Sequence, residues 1–166
     1  MLDLNEDKDF FEILLTSKLI LFPYDCDFNH APCNKKGIKA HWALITGFIL
    51  PVDHDESISL TFGNYSEEKR PCGIEFIDSV KPEQIAKLKE NYENKYYEAK
   101  RFSDLVYVVS KQGKSKHLGV WRLKYLLESN RQLKDIDYKK CDPSEFVLPL
   151  DGDLSKSLSK RFLVIS

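Results

Sequence analysis

The chain has 166 residues, 42% of them hydrophobic and 31% charged, with a formal net charge of −1. That length supports one domain with a substantial core and is short for two, and the composition excludes a disordered or fibrous chain. The near-neutral charge gives no bulk attraction to nucleic acid or anionic lipid, and no apolar run approaches the roughly 20 residues of a membrane span.

The opening MLDLNEDKDFFEILL is acidic where a secretory signal is basic, which predicts a cytoplasmic protein. Asp9 to Ser17 read as a short helix, because Phe10, Phe11, Leu14 and Leu15 recur at three-to-four spacing. KLILFPYD then reads as a buried strand that Pro23 ends and turns into a loop, Asp25 to Lys39. HWALITGFIL is a second buried strand, with His41 at its loop-facing start. A strand is predicted at Ser57 to Phe62, and a helix over KPEQIAKLKENYENKYYEAKRF, with Ile85, Leu88, Tyr92 and Tyr96 as a packing stripe. DLVYVVSKQGKSKHLGVWRL predicts two strands about Gly113, LKYLLESN a helix, and SEFVLPLDG and RFLVIS two last strands. A helix followed mostly by strands points to an α+β domain built on an antiparallel or mixed sheet.

Three candidate chemistries are weighed for the stretch between Cys26 and His41. Cys26, His30, Cys33 and His41 give C-x3-H-x2-C-x7-H, ligand types that suit zinc, but the spacing fits no closed zinc motif and His41 opens an apolar strand. The expectation is therefore no metal and no other cofactor. A nucleophilic Cys needs a helix N-terminus or an adjacent imidazolium. Cys33 follows Pro32 in a loop, Cys26 and Cys72 have no better setting, and Cys141 lies in the charged loop KKCDPS. The remaining possibilities for His41 are a hydrogen-bonded strand-edge residue or a general base. The base reading resembles papain-like cysteine peptidases, in which the catalytic His starts a core strand and an orienting amide or carboxylate ends the next. Here Gln112, or alternatively Ser110, would hold the ring and leave Nε2 to take a thiol proton.

The block LILFPYDCDFNHAPCNKKGIKAHWALITG, with VYVVSKQGKSKHLGVWRLKYLLESNRQL downstream, resembles the signature of the actin maturation proteases. The resemblance covers about residues 10–50 and 105–166, leaving a charged insertion at 51–104 within a single domain, 1–166. It implies a papain-like fold, mostly its C-terminal antiparallel half. The implied activity is cytosolic removal of the N-acetylated Met or Cys from the actin N-terminus. It implies His41 as catalytic histidine, Gln112 as its orienter, and His30 and Cys33 as loop scaffolding. Actin is the implied partner, and its acidic N-terminus would meet the basic loop residues Lys35, Lys36 and Lys39. The family's nucleophile, a cysteine in a Gln-Cys-Gly or Gln-x-Cys-Gly stretch on an N-terminal helix, and its oxyanion-hole glutamine have no match in this sequence. The expectation is that both lie outside this chain, leaving an exposed apolar patch near His41. The alternative is a catalytically inactive actin-binding or regulatory domain that keeps the fold.

Overall fold

The computed structural model describes residues 2–3, 7–16, 19–49, 86, 102–137 and 153–165. The predicted strand at 57–62, the 51–104 insertion and the helix over 81–102 lie outside these residues, apart from Ala86, which is helical, and 102–104. The predicted strand SEFVLPLDG lies outside them too.

The apolar runs form strands β1 (Leu2–Asp3), β2 (Leu19–Cys26), β3 (Pro32–Cys33), β4 (Ala40–Ile49), β5 (Tyr107–Gln112), β6 (Gly119–Arg122) and β7 (Arg161–Ile165). The helices among the described residues are α1 (Asp7–Leu15), α2 (Phe102–Leu105) and α3 (Leu123–Arg131). The sheet order is β1-β7-β2-β4-β5-β6, β3 pairs with β2, and every pairing is antiparallel. An antiparallel sheet with a few helices is an α+β architecture, as the sequence implied.

Period-two alternation divides each strand between two faces. Register places Ile20, Phe22 and Tyr24 opposite Ile45, Ala43 and His41, and Ala43 and Ile45 opposite Gln112 and Ser110. All of these lie on one face, which α1 and α3 cover with Phe10, Leu14, Leu15, Leu123, Leu126 and Leu127. At its centre Phe10 meets Phe22 and Phe162 edge-on, with centroids 5.6 and 5.2 Å away. Each such pair adds roughly 0.5–1.5 kcal/mol beyond the area it buries. A bulge between Ile45 and Gly47 resets the alternation, so that Phe48 also packs against this core.

Strand β2 does not end at Pro23; it continues to Cys26. β7 pairs with β2 only over Leu19–Leu21, and β3 only at Asp25 and Cys26, so Pro23 falls in the gap between them. The missing N–H faces that gap and costs no ladder bond. Asn130 Nδ2 fills the gap, donating to the Pro23 carbonyl at 2.9 Å and to those of Leu158 at 3.0 Å and Arg161 at 3.3 Å. One α3 side chain thereby ties β2 to the approach of β7.

Candidate active site

His41 is the second residue of β4, pairing with Tyr24, and Gln112 closes β5 opposite Ala43. The two side chains are diagonal neighbours on one sheet face, and the position facing His41 across the sheet belongs to the turn after β5. The β4–β5 pairing thus brings together the two residues that sequence reasoning put in one site. Gln112 Oε1 accepts the backbone N–H groups of Lys114 at 2.7 Å and Ser115 at 3.0 Å. Both of its lone pairs are occupied, and no hydrogen bond among the described residues joins it to His41. Gln112 holds the turn that carries Lys114 towards the imidazole.

The His41 ring is half-buried. Burial lowers its pKa below the ordinary 6.5, the charges of Lys114, His30 and Lys39 lower it further, and Asp25 opposes them. A histidine so placed is neutral at pH 7 and competent to accept a proton. The described cysteines differ. Burial pushes the Cys26 thiol up, aided by Cys33, Asp27 and Asp25. Burial does the same to Cys33, aided by Asp25 and Asp27. Neither favours its thiolate, the form a nucleophile needs. Cys72 and Cys141 lie outside the described residues. Among the described residues, no group of three or more His, Cys, Asp or Glu side chains is arranged to hold a metal ion.

The loop between β2 and β4 is organised by one buried carboxylate. Asp25 Oδ2 accepts the N–H groups of Lys35 and Gly37, each at 2.8 Å, and Gln132 Nε2 at 2.6 Å. Its Oδ1 accepts the N–H of Lys39 at 2.9 Å. The Asp25 N–H donates to Ser129 Oγ at 2.9 Å, and the Ser129 hydroxyl lies 2.7 Å from the Cys33 carbonyl. Gln132 Oε1 accepts the Lys36 N–H. Ser129, Asn130 and Gln132 of the SNRQL block therefore clamp the PYD block, and both blocks are scaffold. Lys35, Lys36 and Lys39 engage this scaffold through their backbones while their side chains reach an exposed surface.

The loop at Phe28–His30 and the turn Lys114–Leu118 enclose a cleft of about 410 Å³, with Gln112, Trp121, His30 and His117 in its walls; His41 is not part of the lining, but His30 and Lys114 in those walls act on its imidazole. Trp121 lies over Tyr24 with centroids 5.2 Å apart. A Cβ at Gly119 would come within 2.5 Å of the indole, so glycine is what admits this ring. Tyr24 Oη donates to the His30 carbonyl at 2.8 Å, and His30 holds a left-handed φ of 63°. Its Nδ1 is buried and has no hydrogen-bond partner among the described residues. The large apolar side chains Phe28 (100% exposed) and Leu118 (60%) stand at the cleft. Sequence reasoning left His30 as scaffolding and passed over Trp121. The Asp-x-Asn turn was the available signal, since Asp27 Oδ1 accepts the N–H groups of Asn29 and Ala31 and folds His30 back.

Residues 1–49 match the family described as actin maturation protease-like, C-terminal domain. The chain is 36% identical over 134 residues to the actin maturation protease of Bos taurus, covering 80% of this chain and 34% of that protein. To the actin maturation protease of Homo sapiens it is 36% identical over 140 residues, 84% of this chain and 36% of the relative. To that of Danio rerio it is 31% identical over 156 residues, 92% and 44%. The chain thus spans between a third and a half of the length of these relatives. No solved structure matches it.

Proposed function

We propose, because this chain is similar to the actin maturation proteases over most of its length, that it is the histidine-bearing part of a papain-like thiol aminopeptidase acting on the N-acetylated actin N-terminus. The observation that carries the reading is His41, neutral and half-buried at the start of a core strand, with the cleft residues His30 and Lys114 acting on its imidazole. His41 takes the proton of a cysteine thiol. The thiolate adds to the carbonyl of the N-acetylated terminal residue. Collapse of the tetrahedral adduct breaks the C–N bond, and His41 returns the proton to the departing amine. Water, deprotonated by the same imidazole, then hydrolyses the thioester and frees the acetylated amino acid. Gln112 acts as a positioning residue, fixing the turn whose Lys114 charge helps keep the base unprotonated.

Burial disfavours the thiolates of Cys26 and Cys33, and no cysteine of this sequence sits in a Gln-Cys-Gly or Gln-x-Cys-Gly stretch, so we assign the nucleophile to sequence the relatives carry beyond the matched segment. The same observation supports a second reading, an actin-binding domain that does no chemistry. Mass spectrometry of an N-acetylated actin N-terminal peptide, incubated with this chain joined to the nucleophile-bearing segment of a relative, separates the two. The peptidase reading expects loss of the acetylated residue with wild type and none with His41→Ala. Equal processing by His41→Ala contradicts the assignment of His41. Intact peptide with wild type, together with retained actin binding, favours the non-catalytic reading.

A further inference from the structure

We infer that the turn Gly113–Leu118 is the acid-reading element of this cleft, with Lys114 and Lys116 as specificity-determining residues for a peptide that carries carboxylates next to an apolar side chain. The inference rests on the peptidase reading for the direction in which the peptide runs past His41, and on the cleft itself for the rest.

Three observations carry it. First, the charged side chains of the lining are of one sign: it holds Lys114 and Lys116 and, among the described residues, no Asp or Glu. Neither lysine forms a salt bridge among the described residues, so both charges are available to a ligand. A cleft lined by one sign of charge concentrates ligands of the other sign. Second, the backbone that carries the charges is ordered before anything binds. Gln112 Oε1 takes the N–H groups of Lys114 and Ser115, the Gln112 carbonyl takes the Ser115 N–H at 3.0 Å, and Ser115 Oγ bridges to His117 through both its carbonyl and its N–H. A turn ordered in advance loses little freedom on binding. Third, the same cleft carries solvent-exposed apolar surface, Phe28 and Leu118, together with the indole of Trp121 in its wall. The occupant that answers both features is an extended peptide with one apolar side chain against the aromatic wall and carboxylates reaching the turn. Lys114 lies in the turn that follows Gln112 and faces His41 across the sheet, which places the acid-reading charge next to the base.

The test is fluorescence anisotropy at low salt with two labelled peptides of equal length, N-acetyl-Met-Asp-Asp-Glu-Glu and N-acetyl-Met-Asn-Asn-Gln-Gln. Wild type is expected to bind the acidic peptide more tightly, with affinity falling as salt rises. Lys114→Glu with Lys116→Glu should weaken acidic-peptide binding by roughly tenfold or more and leave the neutral peptide unchanged. Lys114→Arg with Lys116→Arg should restore it. The charge-reversed variant should gain affinity for N-acetyl-Met-Lys-Lys-Lys-Lys, a gain that a misfolded protein cannot show. Acidic-peptide affinity within twofold of wild type in the reversed variant overturns the inference, as does equal binding of both peptides by wild type. Transfer of the whole effect to charge reversal at Lys35, Lys36 and Lys39 also overturns it. The peptidase reading fails separately, on unchanged peptide processing by His41→Ala.

Discussion

Asp25→Asn tests how the candidate site is held. The carboxylate is fully buried and accepts four hydrogen bonds, from the backbone of Lys35, Gly37 and Lys39 and from the Gln132 amide. An asparagine offers one acceptor oxygen and one NH₂ donor. Its better orientation keeps the oxygen at Oδ2 with three donors and turns the NH₂ towards the Lys39 N–H. One hydrogen bond to a charged acceptor is then lost, about 1.5–3 kcal/mol, and the other three fall from charge-assisted to neutral strength. Relief of the desolvation of a buried charge offsets part of this. The expected net loss is about 2–4 kcal/mol, a large share of a stability of roughly 5–15 kcal/mol. Urea unfolding at pH 7, followed by the fluorescence of Trp42 and Trp121, measures it as a shift in midpoint at constant slope. Asp27→Asn is the control, because Asp27 caps its turn from an exposed position and should cost less than about 1 kcal/mol. A loss below about 1 kcal/mol for Asp25→Asn, or equal losses for the two variants, refutes the clamp.

Gly37→Ala should destabilise by at least about 2 kcal/mol in the same assay, since Gly37 holds φ 104° and its new Cβ would overlap the Asp135 carbonyl oxygen; a neutral result contradicts that placement. Stability should also fall in acid through His41. Its folded pKa lies below 6.5, so the unfolded chain binds the proton first; stability is intact above 6.5 and declines as pH drops from there through the folded value. His41→Gln should remove that part of the decline, and an unchanged pH profile in urea midpoints would exclude His41 as its source.

The strands were legible where the apolar runs are contiguous and bounded by turns, as in HWALITGFIL, which forms β4 one residue out of register with the reading. Pro23 was not, because its tolerance depends on a gap in the sheet and on Asn130, 107 residues away. The loop carboxylate Asp25 reads as surface charge; only the N–H groups that fold round it make it a buried anchor. His41 was visible by its place at a loop-to-strand junction, and Gln112 by its place at a strand end. That Gln112 spends its oxygen on the turn depends on backbone N–H directions, which residue types do not encode. The cleft itself is made by two segments that meet only in the fold, so His30, Trp121 and the Lys114–Lys116 turn had no common signal in the chain.

The central claim is that His41 is the base. NMR titration of its imidazole, set beside the acid limb of kcat/KM for processing of N-acetylated actin peptide by the chain joined to the nucleophile-bearing segment of a relative, tests it most directly. The account predicts that the two pKa values coincide, that both lie below 6.5, and that Lys114→Gln moves both upward together by removing a neighbouring positive charge. An imidazole that titrates above 6.5, or an acid limb that stays put when the His41 titration moves, contradicts it.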